Sequence, residues 1–199
     1  MLYQIDKKYK NVWNAAFEYQ DFRNDKGHAF IVSVYAKDIC EKEGTDPDVV
    51  IPAAILHDIG WSQLAVDERM SVFKHGVDKS ERFRIRIAHQ ETGAKLAKEI
   101  LKEVEYPKEL IDEILEIISQ HDTREGFLSD NEGAMRDADK FWRFDDYGFL
   151  NDNMNSGISF TLEIEGLKKK LEDPLFLHFE SSKQRAFDML EKLDLKYID

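Results

Sequence analysis

Apolar residues in this chain return every three or four positions, as in Tyr9, Val12, Trp13, Ala16 and Phe17, or Leu110, Ile111, Ile114, Leu115, Ile117 and Ile118. That spacing matches the 3.6-residue turn of a helix rather than the alternation of a strand, and it predicts an all-α fold. Only four prolines interrupt 199 residues. Helices are expected over 8–22, over 27–43 with Gly44 as the stop, and over 47–59, where Asp46-Pro47 supplies an N-cap followed by proline and Gly60 ends the run. The third is apolar almost throughout, hence buried. Further helices are expected over 89–105, 108–121, 131–144, 158–172 and 174–193, the last two parted by Asp173-Pro174. Residues 61–87 have no clean period and read as a long loop with short helical pieces, and the Asn-rich 151–157 reads as a polar turn.

A chain of this length, 42% hydrophobic, is expected to fold as a single domain over 1–199. With 28 Lys+Arg against 40 Asp+Glu the net charge is −12, which repels phosphate backbones and anionic lipid, so neither nucleic acid nor membrane is expected as a partner. Cys40 is the only cysteine, which excludes an intrachain disulfide, a thiolate zinc site and a CxxC redox pair. The charged N-terminal stretch has no apolar core of signal-peptide length, and a cytoplasmic protein is expected. Self-association into a homo-oligomer is left open.

His28, His57, His89 and His121 stand 29, 32 and 32 residues apart, each near an end of an expected helix. Where antiparallel helices pack, such ends converge, and side chains from several helices meet inside the bundle. Imidazole and carboxylate suit Fe, Mn, Zn, Ni or Co. Asp58 follows His57 directly, about 100° around a helix, so the two side chains straddle an ion. A carboxylate can bridge two cations while each imidazole serves one, which makes Asp58 the natural bridge. Asp139 would complete one metal with His28 and His57, leaving His89 and His121 for a second.

The order His28, His57-Asp58, Asp139 resembles the HD superfamily of metal-dependent, phosphohydrolase-like helical domains. The flanking words AILHDIGW, HQETGAKLAKEIL, ISQHD and RDADKFWR also match, over roughly residues 25–145. The resemblance implies an HD-domain helical bundle with the metal site inside it, residues 146–199 completing or capping the bundle. It also implies two divalent ions, Fe or Mn foremost with Mg, Zn, Ni or Co as alternatives, on His28, His57, Asp58, His89, His121 and Asp139. Cyclic-dinucleotide phosphodiesterases of the superfamily carry a lysine where this chain has Trp61, and a Gly-Tyr-Pro signature absent here. Its mixed-valence di-iron oxygenases use a tyrosine and an acid upstream of the first histidine, for which Glu18, Tyr19 and Asp21 are the nearby counterparts.

The expected activity is metal-dependent hydrolysis of a small, nucleotide-like phosphoester by activated water. The alternatives are a di-iron oxygenase or a non-catalytic metal- or ligand-binding module. Asp58 and Asp122 are the candidate catalytic carboxylates. Residues 74–86 hold Lys74, Lys79, Arg82, Arg84 and Arg86 against Asp78 and Glu81, a local charge of +3, and read as a basic lid that captures phosphate. Lys79, Arg82 and Arg86 are its candidate substrate contacts. Arg136 and Arg143, at i−3 and i+4 from Asp139, share its helix face and could reach the same anion. Asp137, about 200° away, should point elsewhere as a solvated carboxylate. Gly93 is expected to clear space for the site or for close helix packing, and Trp61 and Trp142 to wall the cavity or join the core. His75 and His178 match no motif position.

Overall fold

The computed structural model describes residues 5–72 and 76–198, and among them every regular element is helical. The α-helices are α1 (Lys10–Ala16), α2 (His28–Glu43), α3 (Pro47–Leu56), α4 (Val66–Ser71), α5 (Lys79–Glu103), α6 (Lys108–Gln120), α7 (Asp130–Phe141), α8 (Asp146–Ser156), α9 (Phe160–Leu171) and α10 (Glu180–Tyr197). A 3-10 helix, Ile59–Gln63, joins α3 to α4. Among the described residues no helix is long and apolar enough to cross a membrane.

The apolar α3 is the axis of the bundle. Every residue from Val49 to Leu56 is buried, and α2, α6 and α7 pack around it. Asp46 caps it by accepting the Asp48 N–H, and Pro47 occupies the first turn, where a missing N–H costs nothing. Pro52 lies inside the helix and cannot donate to the carbonyl of Asp48; that carbonyl instead accepts the Tyr106 hydroxyl at 2.7 Å. Leu177, Ile164, Leu167, Leu190 and Leu193, from the C-terminal helices and the segment between them, bury into the same core as α2 to α7. Leu175, in the segment between α9 and α10, is exposed.

Three stretches differ from expectation. Helix α5 begins at Lys79, ten residues before His89, so the basic residues 79–86 lie on a helix and not in a loop. Asp78 caps it, Arg84 bridges Glu81 and Glu68, and Ile85 is the one residue buried before His89, so there was no apolar stripe to read. The Asn-rich turn is the second half of α8: Asp145 accepts the N–H groups of Tyr147 and Gly148, Phe149 is buried, and Asn153 donates to Ile158 O and Glu163. Helix α10 starts at Glu180 rather than near 174. The Asp137 carboxylate accepts the backbone N–H groups of His178 and Phe179, at 2.8 and 3.0 Å, just ahead of it. Asp137 does point away from the histidines, but it is fully buried and engaged with this backbone, not solvated.

Candidate metal centre

His28 opens α2, His57 and His121 sit at the ends of α3 and α6, and Asp139 lies in the last turn of α7. His89 stands in the interior of α5, away from its ends, because that helix starts early. The α5 backbone reaches the centre through a contact between glycines. A Cβ on Gly60 would lie 1.9 Å from the His89 carbonyl oxygen, and one on Gly93 would lie 3.3 Å from the Gly60 nitrogen. Gly93 therefore serves close backbone packing, which seats His89 beside the His57-Asp58 turn.

All four histidines are buried. His57 Nδ1 lies 2.8 Å from Ala54 O and His121 Nδ1 2.8 Å from Ile118 O, so each Nδ1 donates its proton to a carbonyl and leaves Nε2 with a lone pair facing inward. His28 and His57 bring their Nε2 atoms within 3.1 Å, and His89 and His121 within 3.4 Å. Converging lone pairs of this kind are satisfied by a cation. Asp58 stands between the pairs. Its Oδ2 is 3.4 Å from His28 Nε2 and 3.5 Å from His57 Nε2, while its Oδ1 is 3.5 Å from both His89 and His121 Nε2. Asp139 Oδ1 closes the first group at 3.2 and 3.5 Å from His28 and His57, and Asp122 Oδ2 approaches His89 at 3.8 Å. The donor set is thus two imidazole pairs sharing one carboxylate, with Asp139 beside the first pair and Asp122 beside the second, and it fits divalent metal binding.

Burial disfavours charge throughout, yet Asp58 stays well below the usual carboxylate range because Arg23 and His57 outweigh that penalty. Asp139 is likewise held low by His28 and His57. Burial opposes protonation of His57 too, but Asp58 and Asp139 push it up to about 9, so its Nε2 lone pair holds a proton that a cation there would displace, whereas burial lowers His89. Asp122 is also lowered, since His121, His89 and Arg86 overcome its burial.

Two residues that carry no periodic signal complete the centre. Arg23 donates to Asp58 Oδ2 at 2.5 Å and pairs with Asp25 at 3.1 Å, from a loop turned by left-handed Asp21, Asn24 and Gly27. Trp61 donates to Asp58 Oδ1 at 2.9 Å, stacks on His89 at 3.9 Å and lies under the Arg23 guanidinium. Trp142 packs edge-on against His28, so both tryptophans wall the site.

The ligands open into a cleft of about 190 Å³ that Arg23, Arg86, Asp122 and Arg143 also line. Among the described residues, neither Arg86 nor Arg143 makes a side-chain hydrogen bond or ion pair. Lys79 and Arg82, expected at the substrate, do not line this cleft. Along a helix they stand about 15 and 10 Å before His89, against about 4.5 Å for Arg86. Arg136 is also elsewhere: it donates to the carbonyls of Gly126 and Arg124 and to Glu132, and covers the Phe127 ring. His178 pairs with Asp130 outside the site. Lys74 and His75 lie outside the described residues.

Residues 26–143 match the HD domain family, and the chain belongs to it. Its fold is that of a crystal structure described as a predicted HD superfamily hydrolase from an uncultured Thermotogales bacterium, with a TM-score of 0.59 and 21% identity over 94% of this chain and 87% of the other. No curated protein matches the sequence. Divalent metal binding follows from the family together with the clustered His/Asp groups of the site.

Proposed function

We propose that the protein hydrolyses a small phosphoester, nucleotide-like in size, using two divalent ions, iron or manganese. The observation that carries this reading is one cleft in which two imidazole pairs share Asp58 while two arginines, among the described residues, make no side-chain hydrogen bond or ion pair. His28, His57, Asp139 and Asp58 would hold one ion, and His89, His121 and Asp58 the other. Ions bound there supply Lewis acidity toward a phosphoryl oxygen and make water nucleophilic near neutral pH. Arg86 and Arg143 bind the remaining phosphate oxygens and fix the ester in line for attack. Asp122, kept ionised by its neighbours, takes the proton of the attacking water. Trp61 and Trp142 shield the centre and keep its dipoles fixed.

Glu18 is exposed and Tyr19 does not line the metal cleft, which weighs against the oxygenase reading, whereas Asp21, which accepts the Gly27 N–H, lines a small adjoining pocket with His28, Asp58 and Trp61. The test is phosphate release from small phosphoesters by iron- or manganese-loaded protein, with and without oxygen. Hydrolysis under nitrogen, abolished by a chelator while helical content persists, supports the proposal. Oxygen uptake by a mixed-valence iron pair with no phosphate released would replace it with the oxygenase, and unfolding on chelation without any turnover would replace it with a binding module.

Arg143→Ala and Arg86→Ala are each expected to lower kcat/KM by about ten- to a hundredfold, from the loss of about 1.5–3 kcal/mol of charge-assisted hydrogen bonding. Lys79→Ala is expected to change it less than twofold. Steady-state kinetics on one phosphoester checks all three.

A further inference from the structure

The cleft continues past Arg143. Arg143 and Asp152 line it and also line an adjoining groove of about 240 Å³ along α8 and α9, outside the segment that matches the family. The groove's carboxylates are engaged, Asp152 accepting the Trp142 indole N–H at 2.9 Å and Glu163 accepting from Asn153 at 2.8 Å, and its cations are Arg143, at the wall shared with the cleft, and Lys170. Its remaining surface is mainly aliphatic, from Ile158, Leu162 and Leu167.

Gly166 supplies the second observation. It sits in the interior of α9, where glycine costs about 1 kcal/mol relative to alanine. Its backbone is not left-handed, and a Cβ there would meet nothing within 4 Å. Neither conformation nor packing calls for glycine. The missing side chain leaves the groove open.

We propose that the groove between α8 and α9 receives the organic part of the phosphorylated substrate, and that this part is largely apolar. The inference rests on the phosphohydrolase reading. With the phosphate on Arg86 and Arg143 beside the metal ligands, the ester group extends over Arg143, the wall common to both spaces. Together the two spaces reach the roughly 300–1,000 Å³ usual for small-molecule sites.

The experiment is calorimetric titration of manganese-loaded protein with n-alkylphosphonates from methyl to hexyl, alongside hydrolysis of the matching alkyl phosphates. Affinity is expected to rise about three- to fourfold per added methylene until the groove is full. In Gly166→Phe, which fills the groove without a backbone clash, that rise is expected to vanish. Thr161→Phe, at an exposed position of α9 outside the groove, is expected to keep it. A flat series in the native protein, no binding of any phosphonate, or an undiminished rise in Gly166→Phe would overturn the subsite. Chain-length-dependent binding without phosphate release would keep the subsite and overturn the hydrolase instead.

Discussion

Asp58→Ala protein is expected to purify with less than about a tenth of the native metal and to release phosphate at least about a thousandfold more slowly, some 4 kcal/mol of lost transition-state stabilisation. The size of the effect follows from geometry. Among the described residues no other carboxylate faces both imidazole pairs: Oδ2 serves His28 and His57, and Oδ1 serves His89 and His121. Asp139→Ala touches only the first pair and is expected to leave the second ion in place. Asp58→Asn separates charge from shape, since its amide oxygen can still accept the Trp61 indole N–H. It should fold and still lose metal. Elemental analysis of the three variants decides the matter. Full metal content and turnover in Asp58→Ala would mean that Asp58 serves only as the ion-pair partner of Arg23.

The second large effect is expected at Gly60. In Gly60→Ala the new methyl carbon falls on the backbone of α5, at 1.9 Å from His89 O and 2.6 Å from Gly93 N, where no side-chain rotation gives relief. Helix α5 has to move off the 3-10 helix, costing about 3 kcal/mol or more, as severe overpacking does. For a chain of this size that lowers Tm by about 6–12 °C. His89 shifts with the helix, so the ion held with His121 should bind more weakly than the one on His28 and His57. Calorimetry and metal analysis read the two consequences separately. An unchanged Tm would show that the glycine contact is loose.

The helices most readable from sequence were those with both an apolar stripe and a terminal signal. Helix α2 ends at its left-handed Gly44, and α3 starts at Asp46-Pro47, as their residues indicate. Helix α5 was half hidden because its first two turns are held by a cap and by charge pairs, which leave no hydrophobic period. Helix α8 was hidden because asparagines, which favour turns in isolation, here spend their amides on neighbouring carbonyls and carboxylates. In the site, His28, His57, His121 and the two ligand aspartates lie at or near helix ends, as the grouping assumed, whereas His89 reaches them from the interior of α5. Arg23 could not: it reaches Asp58 from an irregular loop, and nothing in its local sequence indicates the distance that loop folds back. Arg136 and Arg143 were equivalent by helical spacing, but Arg136 is claimed by the carbonyls of the 124–126 turn.

Helix α7 works on two fronts, with Asp139 turned to the imidazoles and Asp137 fastened to the chain entering α10. A fragment trimmed to residues 26–143 would strip that second attachment and hand the Asp137 carboxylate to water in place of the His178 and Phe179 N–H groups, on the very helix that must aim a metal ligand. The stretch by which relatives recognise one another is therefore not a portable module. Grafting this centre onto another scaffold would require carrying the C-terminal helices with it.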